Sequence, residues 1–239
     1  VVHNGDDGPV DIYAIHSVAA GEGPVVWTGG NQGLYRWDGE TWTYHEVSMI
    51  TDIGIAPTGD VWLAIGNPSL ISEGTKHTIA RYDGTDLDYI AVNDHLRPPT
   101  FVFTSVAVDE DGVVWFADRI YGNGVYRLDG VSVSTWSVEG PANFVFSDAL
   151  FDSRGDFWLT SQFGAAQFDG ETWRNHFFLV DKAVLNAERD VELGDFTYWL
   201  TLNAMNRVGA VEEDQDGVLW FICPNGVFAR DGAALDYYG

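Results

Sequence analysis

Asp52 and Asp148 each stand ten residues before a tryptophan, Trp62 and Trp158, and the same offset places Ser105 before Trp115 and Ala210 before Trp220. Before Trp27, allowing one inserted residue, the matching position is His16. Two carboxylates and an imidazole at one recurring place suit three kinds of chemistry. They can hold a cation, and oxygen donors of this sort favour Ca2+ or Mg2+. They can act as a carboxylate pair on a glycosidic bond. Or they line a hydrated polar channel in which strand ends are capped and nothing reacts.

A second set consists of Asn31, Arg119, Tyr121, Gln162 and Asn225, placed by the same alignment in loops beside His16, Asp52 and Asp148. Amide, guanidinium and phenol groups together suit a sugar or a peptide, while variable solvated loops have the same composition. Arg119 stands out as one of 12 basic residues among 36 acidic ones. It can equally pair with its neighbour Asp118.

Other residues that invite chemistry have plainer readings. Asp109-Glu110-Asp111-Gly112 and Asp214-Gln215-Asp216-Gly217 look like half a calcium loop. Neither has the late glutamate such a loop needs, and both recur where a turn is required, so both are expected to be turns. His45 is expected on the surface of an outer strand. Cys223, the single cysteine, excludes an internal disulfide and has no basic neighbour to activate it. Nucleophile-elbow, metalloprotease and phosphate-loop motifs do not occur.

What must position these residues is a repeat. Val25-Val26-Trp27, Asp60-Val61-Trp62, Val113-Val114-Trp115, Asp156-Phe157-Trp158 and Val218-Leu219-Trp220 read alike, and in the last four a glycine lies three residues before the tryptophan (Gly59, Gly112, Gly155, Gly217). In the first, Gly23 is displaced by one position, which reads as an insertion in the turn. After each tryptophan comes a second block closing on Asp-Gly, as in Gly33-Leu34-Tyr35-Arg36-Trp37-Asp38-Gly39 and Gly124-Val125-Tyr126-Arg127-Leu128-Asp129-Gly130. Each copy predicts four antiparallel strands: an apolar first strand, the tryptophan strand, a third strand, and a fourth reached through an Asp-Gly hairpin of type I′. One such sheet cannot bury both faces, and packing several radially, with tryptophan in the wedge, solves this. The prediction is an all-β, five-bladed β-propeller of four-stranded antiparallel blades. It forms a single domain over residues 1–239, with an insertion at 179–203.

The order of apolar strand, Asp-x-x-Gly-x-x-Trp and Gly-Leu-Tyr-Arg-x-Asp-Gly resembles the two-component regulator propeller repeat. Asp109 to Trp115, Asp214 to Trp220 and Gly33 to Gly39 carry the likeness. That family implies an extracellular or periplasmic sensing propeller and a small polar residue where Asp52 and Asp148 stand. The rhythm Gly112-Val113-Val114-Trp115-Phe116 is more weakly similar to streptogramin lyase propellers.

A formal charge of −24 repels nucleic acid and anionic lipid and favours cations or basic surfaces. No apolar run reaches the ~20 residues of a membrane-spanning helix. The expected function is a non-catalytic module that binds a protein partner or a small extracellular ligand, with no nucleic acid, no membrane span and no cofactor beyond a possible Ca2+ in the central channel. The rival functions are a small lyase or glycosidase using His16, Asp52 and Asp148, and a structural subunit of a larger complex.

Overall fold

The segments that carry each tryptophan fold as strands in this computed structural model, with the tryptophan as second residue of its strand. The structure describes residues 15–47, 49–66, 77–91, 103–118, 125–130, 132–136, 145–176, 178, 207–224 and 226–238. Two compact units divide the chain, residues 1–136 and 137–239.

The first unit holds three sheets. Blade one contains β1 (Ile15–Ala20), β2 (Val26–Gly30), β3 (Leu34–Trp37) and β4 (Trp42–His45). Blade two contains β5 (Ile50–Ile55), β6 (Val61–Ile65), β7 (His77–Tyr82) and β8 (Leu87–Ala91). Blade three contains β9 (Phe103–Val108), β10 (Val114–Asp118), β11 (Val125–Asp129) and β12 (Ser132–Trp136).

The second unit holds two sheets. Blade four contains β13 (Phe146–Phe151), β14 (Phe157–Ser161), β15 (Gly164–Phe168) and β16 (Trp173–His176). Blade five contains β17 (Ala210–Glu213), β18 (Leu219–Cys223), β19 (Gly226–Asp231) and β20 (Ala234–Tyr238). Each sheet pairs its strands antiparallel in chain order, and the fold is a five-bladed β-propeller. The insertion expected at 179–203 lies outside the described residues.

Within each unit the tryptophan of one blade packs against the next. Trp27 meets Tyr82 edge-on at 5.7 Å, Trp62 meets Phe116 at 6.5 Å, and Trp158 meets Phe221 at 5.4 Å between ring centroids. Edge-to-face contact at such separations adds to the apolar area each ring already buries.

The Asp-x-x-Gly-x-x-Trp block folds as a cap for the turn that precedes the tryptophan. Asp152 Oδ1 accepts the N–H groups of Arg154 and Asp156, and its Oδ2 accepts the Trp158 indole N–H at 3.0 Å. Asp214 repeats the pattern with Asp216, Val218 and Trp220, and Asp109 with Asp111, Val113 and Trp115. Both acidic clusters expected to be turns are therefore turns. Their carboxylates satisfy amides and the indole that packing would otherwise leave unpaired.

Two local expectations are corrected. Blade one has no inserted residue: Gly21 N–H donates to the Val25 carbonyl, as Asp109 N–H does to Val113. The glycine moved because proline occupies the usual site. Pro24 has a fixed negative φ, so the positive φ shifts to Gly23, at 67°. In blades one, two, four and five, where both central residues are described, the Asp-Gly hairpins are also not of type I′. The glycine alone takes positive φ, 103° at Gly39 and 91° at Gly170, as the first of two central residues. The aspartate precedes the turn and caps it, Asp38 accepting the N–H groups of Glu40 and Thr41. This is the glycine placement of a type II′ turn.

Candidate ligand-binding cleft

With the inserted residue gone, the position aligned with Asp52 and Asp148 in blade one is Ser17, not His16. The pairing confirms it: a bulge falls between Ile15 and Ser17, between Ile50 and Asp52, and between Phe146 and Asp148. His16 sits one residue earlier on an exposed face, its Nε2 2.9 Å from Asn31 Oδ1.

The aligned side chains bind backbone. Asp52 Oδ1 accepts the Ser17 hydroxyl and the Ile53 N–H, each at 2.8 Å, and Oδ2 accepts the Val106 N–H of blade three at 2.9 Å. Asp148 does the same one unit on, taking the Ala149 N–H and, at 2.9 Å, the Val211 N–H of blade five. Ser17 Oγ accepts the Ile53 N–H of blade two at 3.2 Å. These contacts are straps from the first strand of one blade to the first strand of the next. Burial pushes the Asp148 carboxyl up to about 6, against the two amides that lower it, and Glu212 raises it further. Among the described residues no three His, Cys, Asp or Glu side chains are grouped to hold a metal ion.

Of the loop residues, His16 and Asn31 are brought together, and Gln162 is half-buried in the turn between β14 and β15. Arg119, Tyr121 and Asn225 lie outside the described residues.

A cleft of about 680 Å³ opens at the other end of blade one, between its turns and those of blade two. The turn after β1 (Gly21 to Val25) and the glycines Gly59 and Gly84 form its rim, with Trp27, Arg36, His45 and Tyr82 as its polar and aromatic wall. Register explains the grouping. Arg36 pairs with Trp27 across β2 and β3, so the guanidinium lies over the indole, 5.7 Å from its centroid. His45 ends β4 opposite Leu34 and meets the Tyr82 ring at 4.5 Å.

The polar groups here are incompletely paired. His45 Nε2 is closed to water and has no hydrogen-bond partner. Burial, and then the nearby Arg36, hold the imidazole below its usual pKa, so it is neutral at pH 7. Arg36 reaches Asp38 only at 3.9 Å, longer than a hydrogen bond. The Tyr82 hydroxyl is spent on the Gly84 carbonyl.

Among the described residues, none of the site candidates drawn from the repeat alignment lines this cleft. A signal was present: Glu40-Thr41-Trp42-Thr43-Tyr44-His45 and Glu171-Thr172-Trp173-Arg174-Asn175-His176 share Glu-Thr-Trp-x-x-His. A histidine repeated at the end of a fourth strand is not an arbitrary surface residue.

No protein-family model matches the chain, and no curated protein matches it. Solved structures do. Virginiamycin B lyase from Staphylococcus aureus superposes with a TM-score of 0.69 at 11% identity, over 96% of this chain and 71% of that one. A Bacteroides thetaiotaomicron protein described as "the extracellular domain of the putative one component system" gives 0.63 at 14% identity, over 95% of this chain and 28% of that one. YCF48 bound to D1 peptide gives 0.56 at 12% identity, over 93% and 67%. What they share with this chain is the fold. Both resemblances read from the repeat, to sensor propellers and to streptogramin lyases, have counterparts among these structures. Among the described residues no helix is long and apolar enough to cross a membrane.

Proposed function

We propose that the chain is a non-catalytic binding propeller, an exported sensing or assembly module that takes a small extracellular ligand or a protein partner. The observation that carries this is the occupation of Asp52 and Asp148. A general acid or nucleophile must present a carboxyl oxygen to its substrate, and both oxygens of each group face backbone amides. The raised pKa of Asp148 has a structural cause, its burial in the strap. The cleft beside Trp27, by contrast, sets an apolar wall beside the guanidinium of Arg36 and the imidazole of His45. An exported location is supported by the extracellular sensor domains that share the fold and by a charge of −24, which opposes binding to nucleic acid and anionic lipid.

The test pairs binding with turnover. Calorimetric titration with sugars and peptides is run beside assays for hydrolysis and elimination on aryl glycosides and cyclic depsipeptides. Saturable binding without product is expected. Product formation that disappears in a folded Asp52→Asn or Asp148→Asn variant overturns the reading.

A further inference from the structure

The cleft has a counterpart whose composition says what it lacks. In blades four and five, Trp158, Gln167 and His176 occupy the register positions of Trp27, Arg36 and His45, and Arg230 occupies that of Tyr82. There the histidine is saturated: Nε2 faces Gln167 Oε1 at 2.9 Å, and Nδ1 accepts from Arg230 at 2.7 Å. In blade one the residue at the Gln167 position is Arg36, which has donors and no acceptor. The neutral imidazole of His45 and the guanidinium of Arg36 therefore stand on one indole, and in the tautomer with its proton on Nε2 the imidazole is a second donor beside Arg36. The acceptor that Gln167 supplies elsewhere is missing.

We infer that this cleft binds a small ring-bearing monocarboxylate, its carboxylate seated between Arg36 and His45 and its ring against the apolar wall of Trp27, Val25 and Ile55. This rests on the binding reading above and names its ligand class. Arg36 approaches Asp38 only to 3.9 Å, so its guanidinium is free to turn to an incoming carboxylate, and Nε2, closed to water, is reached as the side chains around it give way. A planar, bidentate fork suits a carboxylate. One guanidinium, with Glu22 on the rim, suits a single negative charge and disfavours a phosphate dianion. The volume, about 680 Å³, falls in the range of small-molecule sites. Gly59 and Gly84 leave the entrance open, with nothing within 4 Å of a Cβ built on either.

Two sources share this chemistry, acid sugars and aryl carboxylates, and the probes separate them. Tryptophan fluorescence and calorimetry are followed on the full chain with sodium glucuronate and sodium phenylacetate, and with neutral glucose and phenylacetamide. Saturation by at least one carboxylate is expected, with its neutral partner weaker by about tenfold or more. Glucuronate alone identifies an acid-sugar site, and phenylacetate alone an aryl-acid site. Arg36→Gln and His45→Phe, checked for folding by their thermal midpoints, should each weaken the carboxylate about tenfold, while Gln167→Ala leaves it unchanged. If neither carboxylate saturates, or if Arg36→Gln binds as well as the parent, the inference fails. Equal binding of phenylacetate and phenylacetamide also overturns it and leaves the binding function standing, whereas turnover of any probe overturns that function instead.

Discussion

Trp27 and Trp158 each lie under a histidine from the fourth strand of their own blade and a side chain from the third strand of the next. Around Trp158 the network runs from Asp156 through Gln167 and His176 to Arg230, each link at 2.9 Å or less. Arg230 also lies 5.2 Å above the indole, and Trp158 is wholly buried. Around Trp27 the arginine comes from the same blade, the next blade contributes Tyr82, and a histidine nitrogen goes unpaired beside an open cleft. Exchanging which blade carries the guanidinium turns a closed core element into a recess. A repeat scaffold thus opens a cleft without a new loop, by leaving one copy of a structural cluster incomplete.

The largest test of this contrast is truncation of the two indoles. Trp158→Ala is expected to cost about 3–5 kcal/mol in denaturant unfolding, and Trp27→Ala less, because one side of its niche is already open. Equal losses would remove the distinction. Next come the histidines. His176→Phe strands Gln167 and Arg230 and should cost about 1–3 kcal/mol, while His45→Phe removes a nitrogen that has no partner and should stay within about 0.5 kcal/mol.

A third test uses pH. Burial first, then Arg230 and Arg174, depress His176 from 6.5 to about 4. The unfolded chain therefore takes up the proton before the folded one, and this contribution is complete above pH 6.5 and lost as pH falls from 6.5 towards 4. Asp148 acts oppositely. Raised from 3.8 to about 6, it contributes most below 3.8 and loses that contribution as pH rises through 6. Thermal midpoints between pH 7 and 4 should fall less steeply in His176→Phe and more steeply in Asp148→Asn. The smallest effect is expected at the hairpin caps. Asp38→Ala and Asp169→Ala remove matching turn bonds, so their slight shifts in thermal midpoint should agree. A difference would mean that the two blades are unlike beyond their tryptophan niches.

The strand order and the packing role of tryptophan were legible because both follow from local signals: two-residue alternation, turn glycines and a large side chain at fixed spacing. The jobs of Asp52 and Asp148 were not. A carboxylate on a first strand reads as a ligand until the neighbouring blade shows the amide it holds, and that contact spans 54 residues for Asp52 and 63 for Asp148. His16 was misplaced by a single proline, since Pro24 moved the turn glycine and imitated an insertion. The cleft was hidden for a related reason. His45 and Tyr82 are 37 positions apart, and only blade packing makes them neighbours.

In each observed strap the acceptor belongs to the earlier blade and the amide to the later one: Ser17 to Ile53, Asp52 to Val106, Asp148 to Val211. During synthesis from the N-terminus, then, a carboxylate emerges before the group that neutralises its burial. The strap of blade two is therefore completed only by blade three, and that of blade four only by blade five.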